Sequence, residues 1–437
     1  MSQSINRRGF LKGAATGVGF WVAQQYARGQ EGTSPSDKLN VGIIGVAGMR
    51  GGEDLNELVA TGLINMVALC DVDDNNLGPA ARRFPKAKTY NDFRRMMDQK
   101  DVEAVLVATP DHIHAWATLA ALRSGRHVYC EKPLTHSIEE CRLVTETAKR
   151  EKRVTQMGTQ IHAGDNYRRV VELVQGGAIG PVNEVHVFCS TSTWWSDKPP
   201  RQDLPVPPNL HWDLWLGPVP SRPYSPDYLP AVWRKWWTFG EGILGDMACH
   251  YIDLPKWALK LGVPTRCRTD GPPPNALGAP QYVVAHWDFP ARGDLPPVKL
   301  TWHDGGKRPE ELLQQLNLTS WHSGVLFIGE KGQLIGDYER HHLLPQEKFK
   351  DFQPPEPSIP KSVGHHKEWV LACMKNDPAA PLCNFSYAGS LTETVLLGVV
   401  AFRTGEELAW NTQTLTAPNV PDAEQFIRLK YRPGWVL

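Results

Sequence analysis

The chain has 437 residues, enough for two or three domains, and its 41% apolar and 22% charged residues are typical of a folded globular protein. Lysine plus arginine and aspartate plus glutamate each number 47, so the formal net charge is zero and no global field favours nucleic acid or an anionic membrane. A small-molecule partner is therefore the first expectation, and no nucleic acid is predicted.

The cysteines and the apolar runs exclude two further classes of protein. The eight cysteines form no CxxC pair, and most stand in apolar segments, where cysteine acts as a small hydrophobe. Neither a metal site nor a disulfide framework is predicted. No apolar run reaches the roughly 18 residues of a membrane span, so none is expected in the mature chain.

Residues 1–38 are predicted to be an export signal and linker. Arg7 and Arg8 precede a short, weakly hydrophobic stretch at 13–23, which resembles a twin-arginine signal with Asn6 at the usual serine or threonine position. A basic amphipathic tail is the alternative. A clean A-x-A site is missing, so cleavage near Ala27 and retention as an uncleaved anchor both stay open. The expected location is the periplasm, or another compartment reached by this route.

From residue 39, short apolar runs alternate with amphipathic helices. The predicted strands are LNVGIIG, NMVALCDV, EAVLVATP, RHVYCEKP and RVTQMG, and the predicted helices are 52–61, 74–84, 92–99, 112–124 and 137–150. Repeated strand and helix predict an α/β domain with a doubly wound parallel sheet, a Rossmann domain, over 39–158. Such sheets bind ligands beyond the carboxyl ends of their strands.

Residues 159–437 lose this alternation and predict a second, α+β domain with a largely antiparallel sheet. Its predicted strands are 183–189, 281–288, 298–302, 324–328 and 333–337, its predicted helices are 166–175 and 391–404, and a Pro- and Trp-rich segment covers 194–237. We assign this domain to substrate binding and oligomerisation, and we expect a homo-oligomer.

The turn VGIIGVAGMRGG joins the first strand to the first helix, where backbone amides can hold a pyrophosphate. Gly45 fits the first glycine of GxGxxG, whereas Ala47 and Arg50 take the other two places. Gly48 and Gly51 fit only with the spacing stretched by one. The predicted cofactor contacts in this turn are Gly45, Ala47, Gly48, Met49 and Arg50.

Asp71 ends the second strand, 20 residues beyond Gly51. An acid at this place can bind the ribose hydroxyls and repel a 2′-phosphate. NAD is therefore favoured over NADP. The alternative for Asp71 is a helix N-cap.

Two further motifs follow later strands, and a third lies in the second domain. VATPDHIHAW and VYCEKPLT end two strands, and the second places Lys132 where a nicotinamide would lie, before a Pro133 that is compatible with a cis bond. A surface turn is the alternative. In EGILGDMACHYIDL, Asp246 and His250 are four apart and share one helix face. The alternative is that Asp246 caps the helix while His250 and Asp253 find structural partners.

The order of these motifs resembles the Gfo/Idh/MocA oxidoreductases, from about residue 39 to Trp410. The resemblance implies a catalytic triad of Lys132, Asp246 and His250. His250 would be the general base, Lys132 would hold the substrate hydroxyl, and Asp246 would orient substrate and imidazole. It also implies the following contacts along the cofactor: Thr109, Pro110, His114, Glu131 and Lys132.

A sugar or cyclitol is the substrate that the resemblance implies. Gln160, Asn166 and Tyr167 follow the first domain, where relatives carry substrate-recognition residues. Half of the 16 tryptophans fall between residues 194 and 257, and Trp236 in the WRKWW cluster is a further candidate, because indoles suit the apolar faces of pyranose rings. Packing of the second domain or of an oligomer interface is the alternative for these rings.

Three functions remain open at this point. The first is an NAD-dependent sugar or cyclitol oxidoreductase that keeps its cofactor tightly bound, because free NAD would be scarce outside the cytoplasm. The second is an NAD-dependent glycoside-cleaving enzyme that oxidises, eliminates and reduces again. The third is a non-catalytic sugar-binding protein, which the intact Lys132, Asp246 and His250 disfavour.

Overall fold

The computed structural model describes residues 37–202 and 204–436. The predicted export signal, with Arg7 and Arg8, lies outside the described residues. Two sheets organise the described part of the chain, one of six strands and one of eight.

The first sheet is parallel and has the strand order β3-β2-β1-β4-β5-β6. This order reverses direction between β1 and β4, which confirms the predicted doubly wound domain. Its strands are β1 (Leu39–Ile44), β2 (Ile64–Cys70), β3 (Lys88–Tyr90), β4 (Ala104–Val107), β5 (His127–Cys130) and β6 (Thr155–Met157). The helices between them are α1 (Gly48–Ala60), α2 (Asp74–Arg83), α3 (Phe93–Met96), α4 (Asp111–Arg123) and α5 (Ile138–Glu151).

Local sequence sets several boundaries of this domain. All residues of β4 and β5 are buried, as expected of central parallel strands covered on both faces. Helix α5 begins after Ser137, whose side chain accepts from the Glu140 backbone N–H while the Glu140 carboxylate accepts from the Ser137 N–H. This capping box satisfies two otherwise unpaired groups and fixes the start of the helix.

Helix α1 differs from its prediction, since it begins at Gly48 rather than at residue 52. Glycine has a low helix propensity, so three glycines among the first five residues hid the true start. A tertiary contact explains Gly51, because a Cβ there would lie 2.2 Å from the Gly45 carbonyl oxygen. The helix end therefore sits directly on the strand-to-helix turn.

The second sheet has the order β13-β12-β11-β7-β10-β9-β8-β14. Neighbouring strands pair antiparallel except β7 and β10, which are parallel, so the predicted largely antiparallel sheet is confirmed. The strands are β7 (Val182–Phe188), β8 (Arg266–Asp270), β9 (Val284–Phe289), β10 (Val298–His303), β11 (Gly324–Gly329), β12 (Gly332–Gly336), β13 (His341–Leu344) and β14 (Leu408–Ala409). The sequence predictions omitted β8, β13 and β14.

The second half of the chain contributes these helices: α6 (Asp165–Gln175), α7 (Trp212–Leu216), α8 (Gly242–Tyr251), α9 (Asp253–Ala258), α10 (Glu310–Gln315), α11 (His365–Lys375), α12 (Phe385–Thr404) and α13 (Glu424–Ile427). Among the described residues, α12 is the one helix whose length and apolar composition would allow a membrane crossing, and 83% of its apolar window is buried inside the protein. Helix α11 packs back on the first domain, where Trp369 joins the core of β1.

The segment 194–237 forms a cover over one edge of the first sheet, and we call its described residues the cover segment. It is anchored just beyond β2, where the Asp74 N–H donates to the Asn209 carbonyl at 2.9 Å and the His211 N–H donates to the Val72 carbonyl at 2.9 Å. It shares a small apolar core with Phe239; its members in that core are Leu210, Trp215, Leu216, Val219, Tyr228, Trp233 and Trp236.

Candidate active site

A cavity of about 470 Å³ lies between the carboxyl ends of the first sheet's strands and the cover segment. The sheet contributes residues that follow β1, β2, β4 and β5, from Gly45 to Lys132. The cover segment contributes Leu210, Leu214, Trp215, Leu229, Pro230, Ala231, Trp233 and Arg234. The volume is in the range of ligand pockets, and the position is where doubly wound sheets bind nucleotides.

The glycine turn is shaped for a phosphate. Gly45 has φ +86°, and a Cβ there would lie 2.4 Å from the Ala108 carbonyl oxygen. Gly48, at the start of α1, has φ +76°, a Cβ there would meet no atom within 4 Å, and Ala47 offers no side-chain cap. The helix N-terminus, which carries positive partial charge, thus faces the cavity without a side-chain partner. These features fit a dinucleotide, with Gly45, Ala47, Gly48, Met49 and Arg50 in the lining.

Gly45→Ala should lower both the melting temperature and the affinity for nucleotide. The new methyl group meets a backbone carbonyl, and an alanine held at a positive φ costs roughly 1–3 kcal/mol of stability. Gly52→Ala is the matched control, since that position lies inside α1 with nothing within 4 Å of a new Cβ. The control should gain up to about 1 kcal/mol of stability. Thermal melts and nucleotide titrations test both, and equal behaviour of the two variants would contradict the tight turn.

Asp71 lines the cavity at the end of β2. Its carboxylate accepts from the Val46 N–H at 3.1 Å and from the Asp73 N–H at 2.9 Å. Burial raises the pKa of Asp71 to about 6, against the effect of these N–H groups. The N-cap alternative is wrong, because Asp73 caps α2 by accepting from the Asn75 N–H.

The residues predicted along the cofactor beyond β4 and β5 all line the cavity: Thr109, Pro110, His114, Glu131 and Lys132. His114 is buried between the carbonyl oxygens of Pro133, at 2.7 Å from Nδ1, and Thr109, at 2.8 Å from Nε2. Burial lowers its pKa to about 4 against the effect of these two carbonyl groups, and the neutral ring can donate a hydrogen bond to only one of them. The Lys132–Pro133 peptide bond is cis, as the sequence suggested.

Glu131 lines this cavity, and the neighbouring Arg50 lines both this cavity and a second one of about 380 Å³. Gln160 Nε2 donates to Glu131 Oε1 at 2.7 Å, and Arg50 Nε lies 3.5 Å from Oε2. Burial, followed by repulsion from Asp54, raises the pKa of Glu131 to about 7. The buried carboxyl group of Glu131 thus places the VYCEKPLT motif next to Arg50 of the glycine turn.

Lys132 and Asp246 form a buried ion pair at the wall of the cavity. Lys132 Nζ donates to Asp246 Oδ1 at 2.5 Å and to the Asp246 carbonyl at 2.7 Å, and the two residues are 7% and 9% exposed. Arg234 Nε also donates to Oδ1, at 3.0 Å, and Trp194 Nε1 donates to Oδ2 at 2.8 Å. Burial opposes ionisation of Asp246, but Lys132 and Arg234 hold its pKa well below the usual range.

His250 follows one turn after Asp246 on α8 and is half-buried. Its backbone carbonyl accepts from the Tyr167 hydroxyl at 3.1 Å, whereas its ring makes no hydrogen bond within the described part of the chain. Burial, and then the charge of Lys132, lower the pKa of the imidazole to about 3. The ring is therefore neutral at neutral pH, the state in which it can accept a proton.

The structure also tests the alternative roles that the sequence left open for Asp246 and Asp253. Asp246 lies inside α8, which begins at Gly242, so it does not cap the helix. Asp253 is fully buried and accepts from the Tyr387 hydroxyl at 2.6 Å, with His162 Nδ1 at 3.0 Å. These contacts suit the structural alternative that the sequence left open for Asp253.

The predicted substrate residues have different surroundings. Gln160 faces the second cavity. Asn166 is tied to the Asp337 carbonyl, at 2.8 Å from its Nδ2, and Tyr167 is fully buried. Trp236 is buried in the apolar core of the cover segment and donates to the Asp227 carbonyl at 2.7 Å. Packing therefore accounts for Trp236 and Tyr167, and Gln160 is the candidate closest to the cofactor residues.

Sequence reasoning missed Trp194 and Arg234 as partners of Asp246. The 3₁₀ turn Val232–Lys235 places Arg234, whose guanidinium carbon lies 4.3 Å from the centre of the Trp233 ring. The sequence prediction for the WRKWW cluster rested on its tryptophans, whereas its arginine supplies the positive charge that contacts Asp246. Only the fold brings this residue and Trp194 to one carboxylate.

Two family models match the chain in consecutive regions. Residues 39–159 match the Gfo/Idh/MocA oxidoreductase family's NAD-binding Rossmann fold, and residues 164–274 match that family's C-terminal alpha/beta domain. The chain belongs to the Gfo/Idh/MocA oxidoreductase family. Its first domain is an NAD-binding Rossmann domain, as the sequence predicted.

Similar proteins include two curated dehydrogenases. Inositol 2-dehydrogenase of Salmonella typhimurium is 32% identical over 151 residues, which are 34% of this chain and 45% of the relative. Levoglucosan dehydrogenase of Pseudarthrobacter phenanthrenivorans is 28% identical over 233 residues, 50% of each chain. The chain thus spans about half the length of these relatives.

A solved structure supports the fold across more of the chain. A levoglucosan dehydrogenase in complex with NADH and levoglucosan superposes with a TM-score of 0.58 at 18% identity, covering 85% of this chain and 99% of that one. At this identity the match is one of architecture, and it extends over both domains.

Proposed function

We propose that the protein is an NAD-dependent oxidoreductase acting on a ring hydroxyl of a sugar or cyclitol, and that it keeps its NAD bound between turnovers. One observation carries the proposal. The Lys132 ammonium is locked onto Asp246 at the wall of a nucleotide cavity, and a neutral His250 follows one helical turn later.

Each side chain has a distinct task in this mechanism. The residues that line the cavity would hold NAD, which when bound would supply hydride transfer to or from the substrate carbon. His250 takes the hydroxyl proton, for which its neutral ring is prepared. Lys132 donates a hydrogen bond to the substrate oxygen and stabilises negative charge that develops there. Asp246 stays ionised and fixes the ammonium, so little reorganisation is needed during the reaction.

The substrate class rests on the relatives. An inositol and a levoglucosan dehydrogenase both act on ring alcohols by their names, and the chain shares 32% and 28% identity with them over part of its length. The aromatic side chains Trp215 and Trp233 line the cavity, and Trp194 bonds to Asp246 beside it. Indole faces of this kind suit the apolar faces of a pyranose or cyclitol ring.

The cover segment supports retention of NAD. It closes one side of the cavity with apolar residues and is tied to the end of β2 at two backbone positions. Burial of a dinucleotide under such a cover slows its dissociation. Retention also agrees with the export that we propose from Arg7 and Arg8, because a cofactor lost outside the cytoplasm would not be replaced.

Nucleotide analysis tests this proposal directly. The protein is purified without added NAD and denatured, and the released nucleotide is assayed. We expect close to one equivalent of NAD per chain. A nucleotide-free protein that binds added NAD weakly and reversibly would refute retention and leave an ordinary dehydrogenase.

Asp71 should set the preference for NAD over NADP. Its carboxylate lines the cavity at the end of β2, where a 2′-phosphate would meet its negative charge. Asp71→Ala should lower the ratio of the NADP dissociation constant to the NAD dissociation constant, measured by titration. Asp74→Ala is the control, because that nearby aspartate does not line the cavity. An unchanged ratio in Asp71→Ala would remove Asp71 from the nucleotide site.

A further inference from the structure

Another cavity, of about 190 Å³, lies where the cover segment meets α4 and the chain after α13, and we call it the rear cavity. In the described part of the chain it shares no lining residue with the nucleotide cavity. His112 lines the rear cavity, whereas its neighbours Asp111 and Ile113 line the nucleotide cavity. The rear cavity is therefore a separate site, and the proposed mechanism does not use it.

Three cationic side chains from distant parts of the chain line the rear cavity. Arg222 belongs to the cover segment, Arg403 to the last turn of α12, and Lys430 to the chain after α13. Within the described residues, none of the three forms an ion pair with a carboxylate. Positive charge thus collects around one cavity without a paired negative charge.

Both arginines keep N–H groups that have no acceptor within the described residues. Arg403 makes no hydrogen bond there, and its guanidinium carbon lies 4.0 Å from the centre of the Phe426 ring and 5.4 Å from that of Trp237. Arg222 Nη1 donates to the Thr238 hydroxyl at 2.9 Å, but its Nε is buried without a partner. Stacking on aromatic rings holds a guanidinium in place and leaves its N–H groups available to an acceptor.

Glu140 also lines the rear cavity, but its carboxyl oxygens are already used. Oε2 accepts from the backbone N–H groups of His136 and Ser137, both at 3.0 Å, and Oε1 accepts from the Tyr431 hydroxyl at 2.7 Å. Burial raises the pKa of Glu140 to about 7, which weakens its negative charge further at neutral pH. Glu140 therefore serves the start of α5 rather than the cations.

A buried arginine without a counter-ion is unfavourable, because burial penalises its charge. Burial lowers the pKa of Arg403 to about 10, and the attraction of Glu241 does not offset this effect. An oxyanion in the rear cavity would neutralise this charge and accept the hydrogen bonds that both arginines lack. Lys430 is exposed, so the lining reaches solvent and an anion can enter.

The charge and the size of the rear cavity favour a phosphate group. Two guanidinium groups and one ammonium group suit a dianionic phosphate with several acceptor oxygens better than a carboxylate. The volume leaves room for more than a bare phosphate ion, and Pro218, Pro220 and Trp237 supply apolar wall. Inorganic phosphate and a small phosphate monoester are the two sources of this chemistry.

We propose that the rear cavity binds a phosphate group, and that the bound anion fastens the cover segment to α12 and to the chain after α13. Without an anion, the like charges of Arg222, Arg403 and Lys430 repel one another. The anion contacts all three only when the cover segment is closed, so binding stabilises the closed arrangement. A resulting link to nucleotide retention rests on the proposed function, whereas binding in the rear cavity does not.

Calorimetric titration in saturating NAD tests the site, because NAD then occupies the glycine turn, which is itself shaped for phosphate. The probes are orthophosphate and glycerol 3-phosphate, with acetate as the carboxylate control at the same ionic strength. We expect phosphate binding at a single site per chain. Binding of orthophosphate identifies the free ion as a ligand, and binding of glycerol 3-phosphate alone identifies a monoester. No binding of either, or equally tight binding of acetate, would overturn the proposal.

Three variants locate the bound phosphate. Arg222→Gln and Arg403→Gln should each weaken binding about tenfold or more, because each removes charge-assisted hydrogen bonds. Lys430→Ala should cause a smaller loss, and this exposed position tests the site even if an arginine variant does not fold. Arg266→Gln is the control, since this exposed arginine is paired with Glu407 at 2.9 Å and lies outside the rear cavity. Unchanged affinity in Arg403→Gln and Lys430→Ala would place the phosphate elsewhere and overturn the proposal.

Amide hydrogen exchange tests the fastening of the cover segment. At ten times its dissociation constant, phosphate should slow exchange in residues 218–238 by about tenfold, and Arg403→Gln should abolish this effect. Phosphate binding with unchanged exchange in this segment would overturn the fastening. The titrations are repeated without NAD, so a protein that binds phosphate in the rear cavity but binds no NAD would refute the proposed function and leave this inference standing.

Discussion

Replacing Lys132 with alanine should lower turnover by about 10² or more, because the ammonium supplies electrostatic stabilisation at the reacting oxygen. The fold should persist, since Asp246 keeps hydrogen bonds from Arg234 and Trp194. His250→Ala should cause a loss of similar size, as expected when a general base is removed. Turnover, nucleotide binding and melting temperature are to be measured on the same samples.

Lys149→Ala is the matched control, because Lys149 is an exposed lysine in the last turn of α5. It should leave turnover and nucleotide binding unchanged. If Lys132→Ala or His250→Ala instead unfolds the protein, these residues are structural and the triad is refuted. A folded Lys132→Ala variant with full turnover would contradict it equally.

Replacing Asp246 with alanine should have the largest effect on stability. The change leaves the ammonium of Lys132 and the guanidinium of Arg234 without their shared counter-ion at positions that are each 7% exposed. Removing one partner of a buried ion pair typically costs about 3–5 kcal/mol. Denaturant unfolding should show a loss of this order in Asp246→Ala, together with loss of turnover.

The stability difference should depend on pH in a defined direction. The folded state holds the pKa of Asp246 below the ordinary 3.8, so its ionised form stabilises the fold fully above that value. As the pH falls below about 3.8 towards the lowered pKa, this contribution disappears and Asp246→Ala should approach the unaltered protein. A difference that stays constant across this range would show that packing, rather than the ion pair, dominates.

Most of the first domain was accessible from the sequence, because local signals determine it. Buried strands such as β4 are short apolar runs, and the capping box at Ser137 marks the start of α5. The lysine motif follows the end of β5, as predicted. Asp246 and His250 lie on one helix, as their spacing predicted. Family resemblance then supplied the roles.

The remainder depends on contacts between distant parts of the chain. Strand β8 (RCRTD) is mostly polar and lacks a strong apolar pattern, so its place in the sheet comes from pairing with β9. Helix α11 packs on the first domain although it follows the second sheet. Arg234 lies within the quoted WRKWW cluster, but its contact with Asp246 arises only from the fold.

The most direct test of the account is the absorbance of protein purified without added NAD, recorded before and after addition of myo-inositol, levoglucosan and other candidate ring alcohols. We predict that one of them produces the band of reduced nicotinamide, with no external cofactor, and that Lys132→Ala does not. This result would show a retained NAD and a substrate together. If no ring alcohol produces the band even with added NAD, or if a glycoside instead releases free reducing sugar, the sugar oxidoreductase account is contradicted.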